Sequence, residues 1–286
     1  MMRRGRLFLL PLLALATTGP ATCPSGGPGG SFVVQQYRHV PGFVEPHTPG
    51  SGAPVEMAAS ANVRSIAGAD PDLNRVSYLR TYLARSNAAP PRAILVLVPG
   101  FLGGAGTFTP LAEQLVTKYN GNLEVWAVDR RPNLLEDRRG SEHASARIAS
   151  ASDDDEVRDA LYAGTFFYLP EPDDGSVDTN ENGVVDPPTE LPDALGNARS
   201  YVRLEQDDAR FFAHWGVDTY VRDWKRLVDA ARDIVGEDGV VLFGGHSQGT
   251  YWTSVFAAYD FDPDPAVVDA GYAHVDGVLL LEGGGG

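Results

Sequence analysis

Val240-Val241-Leu242-Phe243-Gly244-Gly245-His246-Ser247-Gln248-Gly249-Thr250-Tyr251-Trp252 decides the fold. Val240 to Gly244 is a short, unbroken apolar run, as expected of a strand buried on both faces of a parallel sheet. Gly245 to Gly249 then reads G-x-S-x-G, and Gly249 to Tyr259 has the composition of a helix. A serine on so sharp a strand-to-helix turn is lifted out of the sheet in a strained backbone conformation. The glycines beside it remove side chains that would strike the neighbouring strand and helix. Nucleotide sites also use glycine-rich strand-to-helix turns, but no G-x-G-x-x-G or Walker lysine accompanies this one.

The same rhythm repeats outward. Ala93 to Val98 is a second continuous apolar run, and Thr109-Pro110 places proline at a helix start. Leu111, Leu115, Val116 and Tyr119 share one face of that helix, with Gly121 as its stop. Leu123 to Val128 predicts another strand. Asp218 is placed to cap a long helix with Val221, Trp224, Leu227, Val228, Ala231 and Val235 on its apolar face and Gly236 at its end. Gly277 to Leu281 predicts a last strand. Val76 to Ala84 alternates like a strand, with Val76, Tyr78, Tyr82 and Ala84 on one face. Strands alternating with helices predict an α/β fold whose mostly parallel sheet has helices on both faces. Residues 134–212 interrupt the rhythm and predict a long acidic cap insertion over the carboxyl end of the sheet.

Val98-Pro99-Gly100-Phe101-Leu102-Gly103-Gly104 follows the Ala93 strand and precedes the Thr109 helix. Acyl-transfer enzymes of this architecture place an oxyanion donor there. The backbone N–H groups of Gln248 and of Phe101 (or Leu102) would converge on one carbonyl oxygen. From about 76 to 281, less the insertion, the chain resembles the α/β-hydrolase fold family, and Pro99 to Gly104 resembles the loop of its lipases and esterases. That family more often carries histidine where this chain has Pro99. The resemblance implies Ser247 as nucleophile, Gln248 as oxyanion donor and a structural role for Asp129. It also implies the chain order serine, acid, histidine. Only 39 residues follow Ser247. His274 precedes the last strand, Glu282 ends it, and His246 sits inside the turn. His39, His47, His143 and His214 come earlier. None qualifies as the base, so the chain reads as such a hydrolase cut after its sixth strand, with little turnover expected.

Composition narrows the partners. The 286 residues are 43% hydrophobic and 21% charged, enough for a sizeable core. The net charge of −15 argues against nucleic acid. Residues 151–195 hold thirteen acidic residues and one arginine, a net −12, which leaves −3 for the rest. The single cysteine excludes an internal disulfide and a cysteine-cluster zinc site. Within the acidic segment, Asp178-Thr179-Asn180-Glu181-Asn182-Gly183-Val184-Val185-Asp186 is similar to calcium loops of EF-hands and dockerins. Asp178, Asn180, Asn182, the Val184 carbonyl and Asp186 fall at ligand positions 1, 3, 5, 7 and 9, with Gly183 at the turn. Position 12 is Thr189, with Glu190 one residue late. The run Asp153-Asp154-Asp155-Glu156 predicts a solvated helix start.

The amino terminus predicts export. Arg3, Arg4 and Arg6 precede the apolar run Leu7 to Ala16, which is too short to span a bilayer. Cys23 offers a lipid-anchor site, giving a periplasmic, secreted or outer-membrane lipoprotein destination. The organisation expected is an export signal at 1–22, a Gly/Pro/Ser-rich linker at 23–73 and the core at 74–286. The expected activity is cofactor-free hydrolysis of small-molecule or lipid carboxylic esters. The alternative is a non-catalytic, calcium-dependent surface module on a hydrolase scaffold.

Overall fold

The computed structural model describes residues 31–84, 89–168 and 190–283. Eight strands are present among them: β1 (Phe32–Pro41), β2 (Arg75–Ala84), β3 (Ala93–Val98), β4 (Leu123–Val128), β5 (Leu191–Pro192), β6 (Ala198–Arg199), β7 (Val240–His246) and β8 (Gly277–Leu281). The helices are α1 (Ala61–Ala67), α2 (Thr109–Lys118), α3 (Arg139–Ser150), α4 (Asp154–Phe167), α5 (Val217–Val235) and α6 (Gln248–Ala258). Six strands form one sheet in the order β1-β2-β4-β3-β7-β8. The β1/β2 and β2/β4 pairs are antiparallel, and β4/β3, β3/β7 and β7/β8 are parallel. This is the strand order of an α/β-hydrolase sheet, with the class expected from the sequence.

Each parallel connection must cross over a face of the sheet, and the side-chain period of two decides what it meets. Ile94, Val96 and Val98 of β3 point to one side, into a core shared with Trp126, Val241 and Phe243 and closed by Trp224, Leu227 and Val228 of α5 and Phe256 of α6. Leu95 and Leu97 point to the other, where Ala112 and Val116 of α2 cover them. A central strand covered twice has no polar face, which is why β3 reads as a continuous apolar run. Glu124 is the buried exception in β4, and Arg80 neutralises it with two bonds of 2.7 and 2.6 Å.

Four local expectations need correction. The stretch read as a linker at 23–73 contains β1, which pairs along its whole length with β2 from Phe32↔Ala84 to Pro41↔Arg75. It also contains α1, whose N-cap Ser60 accepts from the N–H of Val63. β1 is an edge strand carrying Gln35, Gln36, Arg38 and His39, so most of it stays partly exposed and its hydrophobic period is weak. The buried face of β2 also changes sides. Val76 and Tyr78 join the core under α5, whereas Leu79 and Leu83 turn toward the opposite face, because the two helices cover different ends of the strand. Tyr119 lies past the end of α2 and is exposed. Gly216, not Asp218, caps α5; Asp218 sits in the first turn and pairs with Arg222 at 2.6 Å.

The described parts of the insertion are held by specific contacts. Asp153 caps α4 by accepting from the N–H of Glu156 at 2.8 Å, so the acidic run is a helix start. α3 and α4 pack through Gly140 and Gly164, where a Cβ on Gly140 would lie 2.8 Å from the Gly164 carbonyl oxygen. The β5–β6 hairpin is tied to α1 by Asp193, which accepts from Ser65 Oγ at 2.7 Å and from the N–H groups of Leu195 and Asn197. These donors, the Ser65 hydroxyl foremost, hold the Asp193 carboxyl below the ordinary carboxylate range. Val63 and Leu73 then pack with Leu135, Phe211 and Trp215, joining the segment before β2 to the insertion. Among the described residues no helix is long and apolar enough to cross a membrane.

Candidate active site

Ser247 stands between β7 and α6 with φ 55° and ψ −120°. A non-glycine residue reaches that region only at a cost, of order 1–3 kcal/mol, and only where surrounding structure holds it. The holding groups are visible. The N–H of Ser247 is shared between the carbonyls of Leu281 and Glu282, at 3.1 Å each. A Cβ on Gly245 would lie 2.2 Å from the Gly249 carbonyl oxygen, and one on Gly249 would lie 2.2 Å from the Val98 carbonyl oxygen. The two glycines of the motif are therefore required by backbone approaching backbone, as the sequence pattern implies.

The 99–104 loop lies directly over the serine. A Cβ built on Gly100 would sit 3.4 Å from Ser247 Oγ. Leu102 takes a positive φ of 57°, and the N–H of Gly103 closes a turn on the Gly100 carbonyl at 3.1 Å. Among the described residues the N–H groups of Gln248 and Phe101 have no hydrogen-bond partner, so neither is tied up elsewhere in the fold. Phe101 and Leu102 expose their side chains to solvent.

Sequence reasoning missed the group that ties these parts together. Arg130, just after β4, donates to Gln248 Oε1 at 3.1 Å and to the carbonyls of Gly100 and Gly103 at 2.9 and 3.1 Å. One guanidinium therefore spans the loop and the residue after the serine, using donors fixed in a rigid plane. Its neighbour Asp129 accepts from the N–H of Ala105 at 2.7 Å and from Arg138 at 3.0 Å. Asp129 thus anchors the far end of the loop, in keeping with a structural role. No local signal marks Arg130, because its partners lie 27 to 118 residues away.

The histidines fall elsewhere. Among the described residues Ser247 Oγ has no hydrogen-bond partner. His274 pairs with Asp269 at 2.6 Å, yet it precedes β8 at the amino end of the sheet. Gly277 pairs with Leu242 and Leu281 with His246, so the five residues of β8 put about 15 Å between His274 and the serine's end. His246 faces Glu282 at 3.6 Å. Neither arrangement makes a base for Ser247.

A cavity of about 460 Å³ opens at the Gly104 end of the loop, lined by Tyr37, Gly104, Asp129, Arg138, Tyr168 and Tyr201. Ser247 is not among its lining residues. Burial, partly offset by Arg138, holds the Tyr37 phenol above its ordinary range, so it lines this cavity as a neutral donor. The expected calcium ligands Asp178, Asn180, Asn182, Val184 and Asp186, and the anchor residue Cys23, lie outside the described residues.

No protein-family profile matches the chain, and no curated protein matches it in sequence. Some solved structures are similar to it at low identity and low TM-score. A lipase candidate from Sulfolobus solfataricus is 11% identical with a TM-score of 0.41, covering 88% of this chain and 45% of its own. A cold-adapted esterase from an Arctic intertidal metagenomic library is 11% identical at 0.35, covering 87% and 60%. An S-formylglutathione hydrolase from Staphylococcus aureus is 12% identical at 0.29, covering 82% and 56%. The chain spans less than two thirds of the length of each of these proteins. The fold assignment rests on the strand order and crossovers described above.

Proposed function

We propose that this chain carries the nucleophile and oxyanion site of an exported serine hydrolase acting on carboxylic esters. The carrying observation is the strained backbone of Ser247 beneath a loop whose Gly100 would bring a Cβ within 3.4 Å of Ser247 Oγ. Ser247 Oγ attacks the ester carbonyl and forms a bond to its carbon. The carbonyl π electrons move to oxygen, where the N–H groups of Gln248 and Phe101 stabilise the charge. Collapse expels the alcohol, which takes up a proton, and water then releases the acid from the serine. A base must accept the Ser247 proton, and no described histidine is placed to do so.

The test uses an alkyl fluorophosphonate and intact-mass measurement, with imidazole supplied as an external base. One adduct per chain is expected, forming faster as imidazole is raised and absent from Ser247→Ala. An adduct that persists in Ser247→Ala, or none in the parent chain, would overturn the proposal. Arg130→Met should slow adduct formation about tenfold, a loss smaller than the 10²–10³ typical of deleting an oxyanion donor. Because Arg130 positions the loop without touching the ester, its thermal midpoint should move little, which separates positioning from general destabilisation.

The acidic loop is proposed as a structural Ca²⁺ site, supported by the ligand spacing from Asp178 to Asp186. Millimolar Ca²⁺ should raise the melting temperature, and Asp178→Ala should remove the rise, since an ion that binds only the folded chain stabilises it by mass action. An unchanged melting curve would mark the segment as a solvated acidic turn. Export rests on the basic and apolar run at the amino terminus, and Cys23 is proposed as a lipid attachment point.

A further inference from the structure

Away from the serine, Glu45, His47 and His214 bring one carboxylate oxygen and two ring nitrogens within 4.8 Å of one another. Glu45 Oε1 lies 2.9 Å from His47 Nδ1 and also accepts the backbone N–H of His47 at 3.2 Å. The rings of His47 and His214 stack at 3.8 Å, 8° from parallel. The three residues come from distant parts of the chain: Glu45 and His47 follow β1, and His214 lies just past the insertion, before α5.

The backbones that carry them are fixed by bonds from buried groups. Trp215 Nε1 donates to Thr48 Oγ1 at 2.8 Å, with both residues buried, locking the position after His214 to the position after His47. The N–H of Glu45 and the guanidinium of Arg131 both donate to Asn74 Oδ1, at 3.0 and 2.7 Å. The N–H of Phe43 donates to Asp223 at 2.7 Å. The His47 carbonyl accepts from Met57, and the His214 carbonyl from Gly216. By contrast, the ligand side chains themselves remain accessible: His47 is about a third exposed and His214 is exposed.

We infer that Glu45, His47 and His214 form a site for one divalent transition-metal ion of the Zn²⁺ class, which clips the segment after β1 to the exit of the insertion. Two imidazoles and one carboxylate are the borderline-soft donors that suit Zn²⁺ and Co²⁺ better than Ca²⁺. Their single negative charge offsets half that of the ion. Ligand atoms about 2.0–2.2 Å from a shared ion lie closer together than 4.8 Å, so the set must close by about an ångström. It closes when one ring tilts out of the stack, and the exposed His214 ring has room to do so. A fourth position stays open to water.

The untagged full chain, stripped with a chelator, is titrated with Zn²⁺ and separately with Co²⁺. A saturating excess of Zn²⁺, with one ion bound per chain, should raise the melting temperature by about 5 °C. Co²⁺ should give visible d–d absorption of a four- or five-coordinate ion. Both signals should vanish in His214→Ala, whose exposed position spares the fold, and both should persist in Asp178→Ala. No Zn²⁺ shift in the parent chain, an undiminished shift in His214→Ala, or loss in Asp178→Ala would each overturn the assignment.

Discussion

Gly249→Ala should lose about 3 kcal/mol of stability, at the upper end of overpacking costs, and with it most of the reactivity of Ser247. The new Cβ would lie 2.2 Å from the Val98 carbonyl oxygen, 3.0 Å from its carbon and 3.1 Å from the Pro99 carbonyl oxygen. These are backbone atoms at the end of β3, which is paired to β7 on one side and β4 on the other. They have nowhere to go without spreading the centre of the sheet, and the loop over Ser247 begins at the same residues. Urea unfolding should show a lower midpoint at unchanged slope. Gly106→Ala is the control: nothing lies within 4 Å of its Cβ, so it should stay within about 0.5 kcal/mol of the parent.

Asp223→Ala should cost about 3–5 kcal/mol, the usual result of orphaning a buried charge. Arg131 and Asp223 are 1% and 3% exposed at their side chains and share two bonds, of 2.6 and 2.8 Å. Asp223 also accepts the N–H of Phe43, so truncation strands a guanidinium and a backbone donor together. Arg131 would keep Asn74, the Phe43 carbonyl and the Trp215 face, which are neutral and cannot balance its charge. Removing both partners, as Arg131→Met with Asp223→Leu, should recover a large part of the loss, because no charge then remains to desolvate. If the double variant is no more stable than Asp223→Ala, the pair is not an interacting unit.

What the sequence reveals follows from how each element is buried. β3 and β7 sit at the sheet centre with helices on both faces, so their apolar runs announce them. Gly245 and Gly249 announce the turn because backbone contact leaves no room for any other residue. β1 has a single partner strand and a wet outer face, so Gln35 and Gln36 interrupt its pattern without weakening its ladder. The β2 reading failed midway because its burial passes from one face to the other at Tyr78 and Leu79. Arg130 was illegible for a different reason: its role exists only once the ends of β3, β4 and β7 are neighbours. Glu45, His47 and His214 are likewise brought together by Asn74, Thr48 and Trp215, bonds that tertiary structure alone creates.

Ser247 and two backbone amides are proposed to address one reacting atom. A crystal structure of the phosphonylated chain tests this most directly. The adduct should sit on Ser247 Oγ with one phosphoryl oxygen about 2.7–3.1 Å from the nitrogens of both Gln248 and Phe101. A phosphoryl oxygen turned to solvent, bonded to neither amide, would mean that the two amides form no oxyanion site.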